Sequence, residues 1–149
     1  MNGTLVKNQL ILDFASGSLG ISKSILVSSY LFLNSKANKI NSTFENLLGE
    51  NLLNINNEPL SKLKYTDCLS NTSEKANKND ISPISKLVGP FEQLEWKNVY
   101  KGFSEYTADI DDKDELKLIK MEPGTSAPIH SHGGKEYILV LSGSFCDEY

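Results

Sequence analysis

Both histidines of this 149-residue chain lie within three residues of each other, at His130 and His132. Glu136 follows after Gly133-Gly134-Lys135. In an extended backbone, side chains two apart share a face, so the two imidazoles leave the chain on one side. Gly133-Gly134 supplies a turn where positive φ carries no steric penalty, and it brings the carboxylate back beside them. Two imidazoles and one carboxylate on a hairpin suit a divalent ion: zinc first, with iron, manganese and nickel also compatible with the donors. A bare His-x-His is common in surface turns and specifies little. Here it sits in a longer frame, Gly124, five residues, His130, one, His132, three, Glu136, six, Gly143. His130, His132 and Glu136 are the expected metal ligands. No catalytic residue and no organic cofactor site is assigned, because nothing in the hairpin identifies a general base or a substrate clamp.

The elements that must position this group are strands. Trp96–Tyr100, Phe103–Ile110, Leu116–Met121 and Tyr137–Leu141 are rich in strand-forming residues. Polar turns separate them, among them the acidic Asp111–Asp114 and Glu122-Pro123-Gly124. An antiparallel β domain is expected from about residue 95, within a unit spanning 88–149. Upstream the apolar period is helical. Helices are expected within 9–16, 21–34 and 38–54, with Gly17 ending the first and Ser22 or Ser24 capping the second. The apolar stripes are Ile21, Ile25, Leu26, Tyr30 and Leu33, then Ile40, Phe44, Leu47, Leu48 and Leu52, with Asn41, Ser42, Glu45 and Glu50 outside. Residues 55–87, rich in Asn, Ser and Lys, read as a linker between this 1–54 helical unit and the β unit. The fold class is α+β.

The hydrophobic fraction of 39% and charged fraction of 23% are those of a folded, soluble protein. A net charge of −4 with no basic stripe argues against direct nucleic-acid binding. Ile25–Leu33 is the most apolar run and is too short to span a membrane, and no targeting segment is evident, so the chain reads as cytoplasmic. Cys68 and Cys146 have no metal-ligand spacing and read as free thiols.

The frame around His130 resembles the first motif of the cupin superfamily. HSHGGKE followed by VLSGSFCDE resembles more closely the cupin-like domain of ChrR-type anti-sigma factors. The N-terminal Leu10–Leu19 segment and the two helical stripes after it resemble the zinc-binding anti-sigma domain of the same family. That family carries a His-x3-Cys-x2-Cys ligand set at the end of its second helix and a further histidine near its N-terminus. At the matching positions this chain has Tyr30, Asn34 and Ala37, so no metal is expected in the N-terminal domain.

The resemblance implies a small three-helix segment followed by an incomplete antiparallel cupin-type jelly roll. In the family a fourth ligand, a histidine, and closing strands lie beyond the point where this sequence stops. A fragment or truncated product is the expectation, with open sheet edges inviting self-association. The implied function is that of a transcriptional regulator. It would hold an extracytoplasmic-function sigma factor inactive and release it on oxidative stress, with the metal-binding half as sensor. The alternative reading of the same ligands is a metal-dependent cupin dioxygenase or isomerase.

Overall fold

Three consecutive helices form the N-terminal half, and each ends where the local sequence dictates. In a computed structural model of the chain, the residues described are 3–53, 83–127 and 133–146. Helix α1 spans Gly3–Ala15, α2 Ile21–Leu33 and α3 Ser35–Leu53. The first begins earlier than the apolar pattern indicates. It stops at Gly17, whose φ of +70° only glycine adopts without strain. There the Ser18 amide donates to the Asp13 carbonyl and the Gly17 amide to the Phe14 carbonyl, both within 3.0 Å, the paired bonds of a Schellman ending.

The helices bury Ile11, Val27, Leu31 and Ala37, with Leu10, Phe14, Leu19, Leu26, Tyr30 and Phe44 packed around them. Two expectations about the stripes are corrected here. Ile21 and Leu33 of the first stripe are 53% and 45% exposed, and Ile40 and Leu47 of the second 37% and 52%, whereas Val27 and Leu31 carry the core. Asn41, expected outside, is 5% exposed, because Ala37, Asn41 and Phe44 form the inward line of α3 at helical spacing. Its amide nitrogen donates to Glu45 at 2.9 Å.

The C-terminal half starts inside the expected linker. Residues 54–82 lie outside the described residues, but Ile84–Val88 form a short helix, α4, with Ile84 buried. Strands β1 (Lys97–Tyr100), β2 (Phe103–Thr107) and β3 (Lys117–Met121) follow as an antiparallel meander in the order β1-β2-β3. The register pairs Phe103 with Met121, Glu105 with Ile119 and Tyr106 with Leu118. Alternation therefore puts Tyr106 and Leu118 on one face, where they meet Ile84, Ala108, Leu116 and Trp96 in a second core. Tyr100 stacks on Phe103 on the opposite face, with centroids 4.8 Å apart. The turn after β3 forms as its composition indicates. Thr125 donates to the Glu122 carbonyl at 3.1 Å, and Gly124, at φ +80°, holds the position after Pro123.

One strand expectation is not met. Tyr137–Leu141 is not a strand in the structure. The run keeps its period of two, with Tyr137, Leu139 and Leu141 half-buried and Ile138 and Val140 exposed. Leu141 packs against the second core. Among the described residues no strand lies beside it to complete a ladder.

Gly102, between β1 and β2, is the tightest glycine of the sheet. It has φ +78°, and a Cβ there would stand 2.6 Å from Thr125 Oγ1. Its carbonyl also accepts the Glu122 amide at 2.9 Å. Gly102→Ala is expected to destabilise the β half by about 1–3 kcal/mol, through backbone strain and displacement of Thr125. A chemical denaturation midpoint equal to that of the parent protein would refute this.

Candidate functional site

The metal ligands expected from the sequence are divided by the structure. His130 and His132 lie outside the described residues, while Glu136 is exposed and stands three residues past Gly133. Gly133 and Gly134 form a bend, and among the described residues neither has a heavy atom within 4 Å of its missing Cβ. Among the described residues no group of three or more His, Cys, Asp or Glu could hold a metal. The chemistry of the donor set, two imidazoles and a carboxylate around a glycine bend, fits a borderline divalent cation. Cys146 is exposed, and Cys68 lies outside the described residues.

Tyr30, Asn34 and Ala37, the positions expected from the resemblance to stand in place of zinc ligands, carry a hydrogen-bonded corner. Asn34 sits between α2 and α3. Its carbonyl oxygen Oδ1 accepts the Ala37 amide at 3.1 Å, capping α3. Its amide nitrogen donates to the Tyr30 hydroxyl at 3.3 Å, and its own backbone amide donates to the Tyr30 carbonyl at 2.9 Å. Ala37, 3% exposed, takes part in the helical core. Tyr30, Asn34 and Ala37 thus form a polar and apolar corner between the two helices.

The helical half also presents apolar surface. Ile21, Phe32, Leu33, Ile40 and Leu47 on α2 and α3 are each between 37% and 58% exposed. Phe32, which the stripes do not include, is the most exposed of them. Side chains of this size left in water on short helices suit a protein interface.

A third arrangement was missed by sequence reasoning. The structure caps α2 neither with Ser22 nor with Ser24. Gly20 occupies the N-cap, and the Ser22 amide donates at 2.7 Å to the carboxylate of Asp112, ninety residues away. The only local hint was a glycine standing where an N-cap side chain is usual.

Residues 85–149 match the family model described as the ChrR cupin-like domain. A chain of the crystal structure of Rhodobacter sphaeroides SigE in complex with the anti-sigma ChrR shares the fold, with a TM-score of 0.70 at 18% identity. That match covers 85% of this chain and 70% of the other, a span that residues 85–149 alone cannot supply. No curated protein sequence matches. The three helices followed by an antiparallel three-stranded sheet are consistent with a helical domain and part of a cupin fold. Among the described residues no helix is long and apolar enough to cross a membrane. Residues 85–149 are therefore similar to the ChrR cupin-like domain, and the chain shares its fold with a chain of the SigE–ChrR complex.

Proposed function

We propose that this protein is an anti-sigma factor-like regulator of the cytoplasm. Its helical half binds a sigma factor of the extracytoplasmic-function class, and its cupin-like half governs release under oxidative stress. The observation that supports this best is the fold shared over 85% of the chain with a chain of the SigE–ChrR complex. The exposed apolar side chains of α2 and α3, Phe32 and Leu33 among them, supply side chains of the right chemistry for such a contact.

His130, His132 and Glu136 would hold the divalent metal, zinc in the first instance, and a bound ion would tie the glycine bend to the following segment. In this reading the metal serves the fold of the sensing half rather than turnover. In this reading the helical half works without zinc, and the Asn34 corner, which joins α2 to α3 by hydrogen bonds, supports it.

The test is retention of a sigma factor. The tagged full chain, exposed to each extracytoplasmic-function sigma factor of its own genome in purified form, is expected to retain at least one. Phe32→Asp should weaken that binding roughly tenfold or more, by burying a charge at an apolar contact. Its thermal midpoint should stay at the parent value, because Phe32 is 58% exposed. Failure of every sigma factor to bind the parent protein would overturn the reading.

A further inference from the structure

The two halves of the chain meet at the start of α2. Gly20 is in an extended conformation, φ −64° and ψ 167°, that any residue adopts, so glycine is not needed there for its backbone. It is needed for space: a Cβ at Gly20 would stand 2.9 Å and 3.0 Å from the two carboxylate oxygens of Asp112. The carboxylate from the β half thus occupies the place of the missing N-cap side chain. Its Oδ2 accepts the Ser22 amide at 2.7 Å, as a capping side chain would.

Two further bonds close the contact. The Ser22 hydroxyl donates to the Asp114 carbonyl at 2.7 Å, and the Lys23 ammonium pairs with the Asp114 carboxylate at 2.8 Å. Ser22 is 3% exposed as a result. One turn further on, Ile25 packs against the second core, while Val27 and Leu31 of the same helix belong to the first. Helix α2 is therefore shared between both cores, and its first turn is completed only by the other half of the protein.

We propose that the Asp112–Asp114 turn is a latch that couples the two halves, holding the first turn of α2 closed while the sheet is intact and releasing it when the sheet is disturbed. A helix start has amides with no partner inside the helix. Once the carboxylate leaves, the Ser22 amide has no substitute on Gly20, and the first turn of α2 frays. A change in the β half thereby reaches a helix whose far end carries Phe32, Leu33 and the Asn34 corner.

The titratable groups around the contact are Asp112, Asp114, Lys23 and, acting on Lys23 from the C-terminal segment, Tyr137. The Ser22 amide holds the Asp112 carboxyl below its ordinary value of 3.8. That contribution is complete above the ordinary value and is lost as pH falls through the lowered one. The hydrogen bond to Asp114 holds the Lys23 ammonium above its ordinary value of 10.5. That contribution is complete below the ordinary value and is lost as pH rises through the raised one. Well inside the interval between these values the latch is insensitive to pH. The Lys23–Asp114 pair is surface-accessible and weakens with salt.

Amide hydrogen exchange of the full chain at Ser22 tests the latch, because that amide owes its protection to Asp112. Asp112→Ala should raise its exchange rate about fivefold to tenfold, the effect of losing an N-cap, whereas Asp112→Asn keeps an acceptor and should raise it about twofold. Gly20→Ala should act like Asp112→Ala, since one methyl group displaces the carboxylate without straining the backbone. Lys113→Ala, in the same turn but exposed, should leave the rate unchanged.

Coupling is read with Leu118→Ala, which disturbs the second core. It should raise exchange at Ser22 and Ser24 in the parent background and have no further effect there alongside Asp112→Ala. Unchanged Ser22 exchange in both Asp112→Ala and Gly20→Ala would overturn the proposal. So would an equal effect of Leu118→Ala in both backgrounds. If Asp112→Ala fails to fold, Gly20→Ala decides in its place. Each readout is independent of any sigma factor, so failure of the partner reading leaves the latch testable.

Discussion

Leu31→Ala is expected to destabilise the helical half by about 3 kcal/mol, within the 2–5 kcal/mol range for removing a buried leucine side chain. Leu31 is 6% exposed and packs with Ile11, Val27 and Ala37 in a core of few residues. Its neighbour Phe32, on the same helix, is 58% exposed, and Phe32→Ala should change stability by no more than about 0.5 kcal/mol. The pair separates fold from surface at adjacent positions. A domain stability of only about 5–15 kcal/mol means that the first substitution removes a large share of it. Leu31→Ala should therefore unfold α1 to α3 at a markedly lower denaturant concentration and weaken sigma-factor retention through loss of fold. Phe32→Ala should weaken retention with the denaturation curve in place. Equal denaturation midpoints for the two variants would contradict the assignment of Leu31 to the core.

The readable and unreadable parts of this fold differ by the range of the interactions that make them. Gly17 and the Pro123-Gly124 pair could be placed from sequence because a positive φ is a local demand that few residues meet. The three helices and three of the four expected strands were legible from apolar period alone. Period does not say how many cores an element serves. Ile21 and Leu33 fit the stripe of α2, yet the helix lies between two cores, so Val27 and Leu31 are buried and the stripe's ends are exposed. Asn41 was placed outside on polarity. Its hydrogen bond to Glu45, one turn on, pairs its amide nitrogen, while its Oδ1 is buried without a partner among the described residues.

Asp112 was read as one of a run of acidic turn residues, and no local pattern could pair it with an amide ninety residues earlier. The run Tyr137–Leu141 has a strand's composition and alternation but, among the described residues, no neighbouring strand. A ladder needs two partners, and sequence supplies the propensity of only one. The expected metal pattern rests on sequence spacing alone, and His130 and His132 lie outside the described residues. Its residues are adjacent in sequence, so the donors and their spacing could be read without any tertiary contact.

His132→Ala should lower divalent-metal affinity by about a hundredfold or more, the largest effect expected of any single substitution in the C-terminal half. It leaves one imidazole and one carboxylate, and removing a direct ligand should exceed the 10–100-fold loss usual when a supporting outer-shell group is removed. Glu136→Gln keeps both imidazoles and an oxygen donor but removes the negative charge, so its loss should be smaller. Binding requires neutral imidazoles, and affinity should therefore fall as pH drops below about 6.5, where protons compete with the metal for the histidines. A competition titration of the full chain with zinc and a chromophoric chelator, repeated across pH, reads all three effects. Zinc should also raise the denaturation midpoint of the parent protein and not that of His132→Ala, because an ion that binds only the folded chain stabilises it in proportion to its affinity. Equal zinc affinity in parent and His132→Ala would show that the ion, if bound, is held elsewhere. Under the proposed function, control would then have to act through the sheet rather than through a metal held by His132.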